Sequence, residues 1–191
     1  MRRKTEQTRQ RIVDAAYECF WRSGFTRTSI DGIAERANLT KRTIYSYFRS
    51  KDDLLTAVLS HYNELALKRL HNIGKQMPAD PSGMIESFFD QLARWAMATS
   101  RWPGSGFTKL VVELAHLPGH PARIIARRHK ATTEAWLAER LADARVVFSA
   151  KRAREIMVLM EGAMALTLIH GNRTYIDAAK YASKQLVTKR K

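Results

Sequence analysis

The chain of 191 residues has a single cysteine, Cys19, so no internal disulfide is available and no oxidising compartment is needed. Its longest run without a charged side chain is the eleven residues between Glu161 and Arg173. A membrane-spanning helix takes about 18 to 20 apolar residues, which excludes one here. The basic start, Met1-Arg2-Arg3-Lys4, is not followed by the apolar stretch of a signal peptide and reads as a solvated terminus. A soluble, cytoplasmic protein is expected. Proline is confined to five positions between 78 and 121, so the first 77 residues and the last 70 lack the strongest helix breaker. Acidic side chains are few: 18 Asp plus Glu against 33 Lys plus Arg leave a net charge of +15, which points to a polyanionic partner. There is no glycine-rich phosphate loop, nucleophile elbow or Cys/His cluster. Glu113-Leu114-Ala115-His116 has the Glu-x-x-His spacing of di-iron bundles, but those need it twice. Pro118 and Gly119 break the helix between His116 and His120. No enzyme, metal or cofactor is expected.

What the chain does contain is helical periodicity. Segments with apolar residues at i, i+3, i+4 and i+7 recur, and none alternates with period two, so the expected fold is all-α with about nine helices. In the first helix Ile12, Ala15, Ala16, Cys19 and Phe20 share a face, and Gly24 stops it. Thr28 reads as the N-cap of a two-turn helix with Asp31 three residues on, and Ile30, Ile33, Ala34 and Ala37 are its stripe. Asn38 supplies a turn, Thr40 caps a third helix, and Leu39 and Ile44 sit where a hydrophobic staple fixes the entry angle. A fourth helix runs from Ser50, with Asp53 at N3, to about Ile73, and Gly74 to Gly83 reads as a linker to a second helical unit. There, a long helix ends near Ala144. From Ile156 to Ile169 the only charge is Glu161, so that helix must be covered on more than one side, and Gly162, Ala163 and Ala165 would admit a partner helix.

Residues 28 to 48 make two short helices joined by a three-residue turn, the geometry of a helix-turn-helix. In that motif the second helix enters the major groove, where each base pair shows a distinct pattern of donors and acceptors. Around the single buried Ile44 stand Lys41, Arg42, Thr43, Tyr45, Ser46 and Tyr47, donors and flat rings where a groove would lie.

The stretches Thr8 to Ala16, Gly24-Phe25, Thr28 to Ala34 and Leu39 to Leu55 resemble the N-terminal domain of the tetracycline-repressor (TetR) family of bacterial regulators. The resemblance covers about residues 6–66, an N-terminal three-helix DNA-binding domain, and leaves 67–191 as a C-terminal helical bundle for ligand binding and dimerisation. It implies a homodimeric transcriptional regulator, usually a repressor, that reads a palindromic operator in double-stranded DNA and is released by a small-molecule effector. By position, Thr28, Thr40, Thr43, Tyr47 and Lys51 match phosphate-contacting places, and Lys41, Arg42 and Tyr45 match places near base edges. Position 42 is commonly small in the family; Arg42 can pair bidentately with guanine. The dimer is expected through the helices near 154–171 and 174–188. For the effector, Ile125, His129, Thr132 and Trp136 share one face of the long helix, and with Phe89, Trp95, Met157 and Met160 they are the expected lining of an apolar pocket.

Overall fold

The structure is a computed structural model that describes residues 2–98 and 104–188. The side chains of Arg2 and Arg3, two of the three basic residues at the start, lie outside the described residues. Among the described residues there are nine helices and no strand: α1 Arg2–Ser23, α2 Ile30–Ala37, α3 Lys41–Tyr47, α4 Lys51–Gln76, α5 Pro81–Met97, α6 Gly106–Glu113, α7 Pro121–Asp143, α8 Ser149–His170 and α9 Thr174–Thr188. Among these residues no helix is long and apolar enough to cross a membrane, and no group of three or more His, Cys, Asp or Glu is placed to hold a metal.

The chain forms two compact units. The first joins Met1–Leu65 to Gly106–Arg128, and the second joins Ala66–Ser105 to His129–Lys191. The segment 106–128, read from the sequence as part of 67–191, therefore packs with the helix-turn-helix. Its Leu110, Leu114 and Ala122 lie in the same buried cluster as Ile12, Phe20, Ile33, Ile44 and Leu54. In the second unit a core of Ile85, Phe88, Phe89, Leu137, Leu141, Ile156, Met160 and Ile176 is closed by α5, α7, α8 and α9. Two ion pairs at 2.8 Å, Lys180 with Asp90 and Lys184 with Glu86, fasten α9 to α5 at its margin.

Three local expectations need correction. The N-cap of α2 is Ser29, whose Oγ accepts from Gly32 N at 3.1 Å, and not Thr28. The cap falls immediately before Ile30, the first residue of the apolar stripe, where an extended backbone and a short oxygen-bearing side chain can meet the free N–H groups. The linker shrinks to residues 77–80, because α4 runs through Gly74 to Gln76 and Pro81 opens α5 behind an Asp80 cap. Gly74 remains helical because it serves packing: a Cβ there would stand 3.1 Å from the Trp136 ring. On α7, Thr133 is buried and Thr132 exposed, so the face carrying His129 does not extend through Thr132. The Thr133 hydroxyl donates to the His129 carbonyl at 3.0 Å, the back-bond that keeps a buried helical threonine satisfied.

Candidate nucleic-acid interface

Thr40 starts α3 as its N-cap and accepts from Thr43 N at 3.1 Å. Asn38, with φ 50° and ψ 52°, makes the left-handed turn before it and donates its N–H back to the Ala34 and Glu35 carbonyls. Asparagine tolerates that conformation because its short polar side chain carries little steric penalty there. Ile44, fully buried, anchors α3, with half-buried Leu39 and Tyr47 beside it. One apolar anchor is enough for a seven-residue helix of about 10 Å, and it leaves the opposite side to solvent. That side presents Lys41, Arg42, Tyr45 and Ser46, all exposed, with Tyr45 at 48%.

These groups differ in how free they are. Lys41 Nζ donates to Asp31 Oδ2 at 2.9 Å, and that hydrogen bond, helped by the carboxylate's charge, lifts the ammonium above its ordinary pKa. Ser46 Oγ donates to the Thr43 carbonyl at 2.7 Å, and the Thr40 and Thr43 hydroxyls meet at 2.8 Å. Arg42 has no hydrogen bond or ion pair among the described residues, so its five donors stay available in their fixed fork. Arg9 covers the end of the motif, its guanidinium 5.3 Å from the centroid of the Phe48 ring.

Two of the residues matched to phosphate contacts are otherwise engaged. Thr28 is 6% exposed, and its hydroxyl lies 2.6 Å from the Gly24 carbonyl and 3.2 Å from that of Cys19. Lys51 Nζ donates to the carbonyls of Phe25 at 3.0 Å and Thr28 at 3.1 Å. Both hold the turn between α1 and α2 and leave Thr40, Thr43 and Tyr47 as the partly accessible members of the set. Sequence reasoning passed over Ser29, exposed at the N-terminus of α2, although the adjacent Thr28-Ser29 pair signals that only one of the two can cap.

The expected effector-pocket residues lie in the second unit. Phe89, Met157 and Met160 are buried in its core, Trp95 and Trp136 pack half-buried against it, and Trp136 lies 6.3 Å from Phe88 ring to ring. His129 is pushed down to about pKa 4, chiefly by burial and further by the Lys130 charge, while Glu161 opposes the shift. A cavity of about 560 Å³ in this unit is lined instead by Asp80, Pro81, Val146, Phe148, Arg152 and Leu186, with none of the expected residues in its wall.

A short, solvent-facing polar helix behind a tight helix-helix turn is helix-turn-helix geometry, the form in which a second helix can enter the major groove. Residues 12–58 match the family described as bacterial regulatory proteins, tetR family. The regulator SrpR of Pseudomonas putida is 44% identical over 64 residues, 31% of this chain and 30% of that protein. UidR of Escherichia coli K12, an HTH-type transcriptional regulator, is 28% identical over 185 residues, 95% of this chain and 88% of its own. Several other relatives are matched over only about half of their length or less. Escherichia coli NemR in its reduced form has the same fold, with a TM-score of 0.87 over 96% of this chain and 98% of that one at 19% identity. Residues 12–58 thus match the tetR family of bacterial regulatory proteins, and the chain shares its fold with SCO4454 of Streptomyces coelicolor, a TetR-family transcriptional regulator, with a TM-score of 0.83 at 21% identity.

Proposed function

We propose that the chain acts as a homodimer that binds a palindromic operator in duplex DNA, represses transcription there, and leaves when a small molecule binds. Residues 6–66 carry the DNA-reading domain, with 106–128 packed into it, and the rest of 67–191 the effector-binding and dimerising one. The observation that carries this reading is the exposed side of α3: Lys41, Arg42, Tyr45 and Ser46 surround a helix whose one fully buried side chain is Ile44. The major groove, about 12 Å wide, admits a helix of this size. Thr40, Thr43 and Tyr47 supply backbone contacts, Arg42 reads a base, and Thr28 and Lys51 serve by holding the turn behind them. The net charge of +15 adds long-range attraction.

The effector reading rests on Phe89, Trp95, His129, Trp136, Met157 and Met160, apolar and aromatic side chains with one neutral imidazole as a polar anchor. Release follows by linkage: the effector must bind the state that cannot engage DNA more tightly than the one that can. In this mechanism α4 shifts and the two recognition helices lose the spacing of successive major grooves, about 34 Å. Selection of bound duplexes from a random pool tests the proposal. A palindrome with half-sites about one helical turn apart is expected, and binding without sequence enrichment overturns it.

A further inference from the structure

We propose that Glu113 of α6 is a positioning residue for DNA recognition, so that α6 belongs to the reading head; this rests on the DNA-binding reading above. Its carboxylate bridges two consecutive amides of the turn between α1 and α2. Phe25 N donates to Oε1 at 3.2 Å and Thr26 N to Oε2 at 2.9 Å, across 87 to 88 residues of sequence. Apart from Gly24 N to the Phe20 carbonyl and Thr28 N to the Phe25 carbonyl, no backbone hydrogen bond orders residues 24–28 among those described. Side chains hold five more of the segment's backbone groups. Lys51 takes the carbonyls of Phe25 and Thr28, Thr28 Oγ1 takes those of Gly24 and Cys19, and Glu113 takes the two N–H groups. The angle at which α2 leaves α1, and with it the pose of α3, is set by these contacts.

Two further links attach the same segment. Lys109 Nζ donates to the Trp21 carbonyl in the last turn of α1 at 2.8 Å, and His120 Nε2 lies 2.9 Å from Asp52 Oδ1 in the first turn of α4. Glu113, first weighed with His116 as a Glu-x-x-His, and His120, weighed with His116 as a histidine pair, thus serve protein groups. Gly24 records the tightness of the arrangement. It has φ 84°, and a Cβ there would stand 2.6 Å from Glu113 Oε1.

The sign of the effect separates this role from a plain charge effect. A carboxylate near a polyanion-binding surface repels DNA, so removing it for its charge alone strengthens binding to every sequence. Removing a clamp on the turn weakens specific binding. The test uses the full chain and a duplex selected from a random pool, with Glu113→Ala and Glu113→Gln. Glu113→Ala is expected to lose about tenfold in specific affinity, the scale of a hydrogen bond to a charged group, while binding to random duplex at low salt holds or rises. Glu113→Gln keeps one acceptor and falls between, and carries the test if the alanine variant folds poorly. Hydrogen exchange without DNA is expected to speed up at Phe25 and Thr26. Equal or tighter operator binding by Glu113→Ala, with protection at 25–26 retained, overturns the role. A wild-type chain that selects no duplex overturns the DNA-binding reading itself, and the exchange measurement then still reports whether the clamp exists.

Discussion

Lys51 holds Phe25 twice, with its ammonium 3.0 Å from the Phe25 carbonyl oxygen and 4.4 Å from the centroid of the Phe25 ring. By family position this lysine matches a phosphate contact; by geometry its charge is spent inside the protein. The two roles predict different outcomes for Lys51→Met. As a staple, Lys51 contributes about 1 to 3 kcal/mol through a charged hydrogen bond and its aromatic contact. Chemical denaturation should register that loss, while the slope of log binding constant against log salt stays unchanged. A slope smaller by about one, with stability intact, would return Lys51 to a phosphate.

Arg42 is the reverse case, an exposed fork without a partner among the described residues. Arg42→Ala is expected to cost about 1 to 3 kcal/mol at one G·C pair of the selected operator and little on a duplex already mutated there. Titration of both duplexes checks it. Equal weakening on both, with a smaller salt slope, would assign Arg42 to the backbone.

The parts of this site that were legible in the sequence are those written in local chemistry. Thr40 as cap, Leu39 and Ile44 as staple and the polar girdle of α3 all lie within a few residues of one another, and 3.6-residue periodicity orients them. Thr28 and Ser29 were harder, because both are capping types and only the start of the Ile30 stripe tells which one caps. On α7 the one-residue difference between Thr132 and Thr133 turns a side chain by about 100°, enough to exchange exposure for burial. The pairing of 106–128 with the N-terminal unit left no local trace. Glu113 looks like a helix-surface carboxylate until Phe25 and Thr26, 87 to 88 residues away, are brought beside it.

His129 gives a pH prediction with a definite sign. Its folded pKa of about 4 lies below the ordinary 6.5, chiefly because burial disfavours the imidazolium. Between those values the unfolded chain binds more protons than the folded one, so stability is full above pH 6.5 and is lost as pH falls toward 4. The loss is bounded at about 3 kcal/mol and is smaller to the extent that water reaches the half-buried ring. Thermal melts across that range are expected to fall steeply for the wild type and less steeply for His129→Gln. Parallel curves would show that other groups govern the acid limb.

The proposed dimer face is open to a test at Gly162, where an added side chain would point into open space within the protomer. Val158 is 68% exposed and Ile169 71%, and with Gly162 they line one side of α8 at helical spacing, while Tyr181 of α9 is 68% exposed. A protomer alone gives these apolar groups no reason to face water. A Cβ on Gly162 would meet no atom within 4 Å, so Gly162→Leu costs the protomer no packing and improves helix propensity by about 0.8 kcal/mol. The same side chain would stand where a second α8 must approach closely. Gly162→Leu should therefore keep its melting profile when dilute, sediment as a monomer at concentrations where the wild type is a dimer, and lose affinity for a full palindrome more than for a half-site. A variant that stays dimeric at wild-type concentrations would move the interface off this face of α8, because no backbone approach close enough to exploit glycine survives a leucine there.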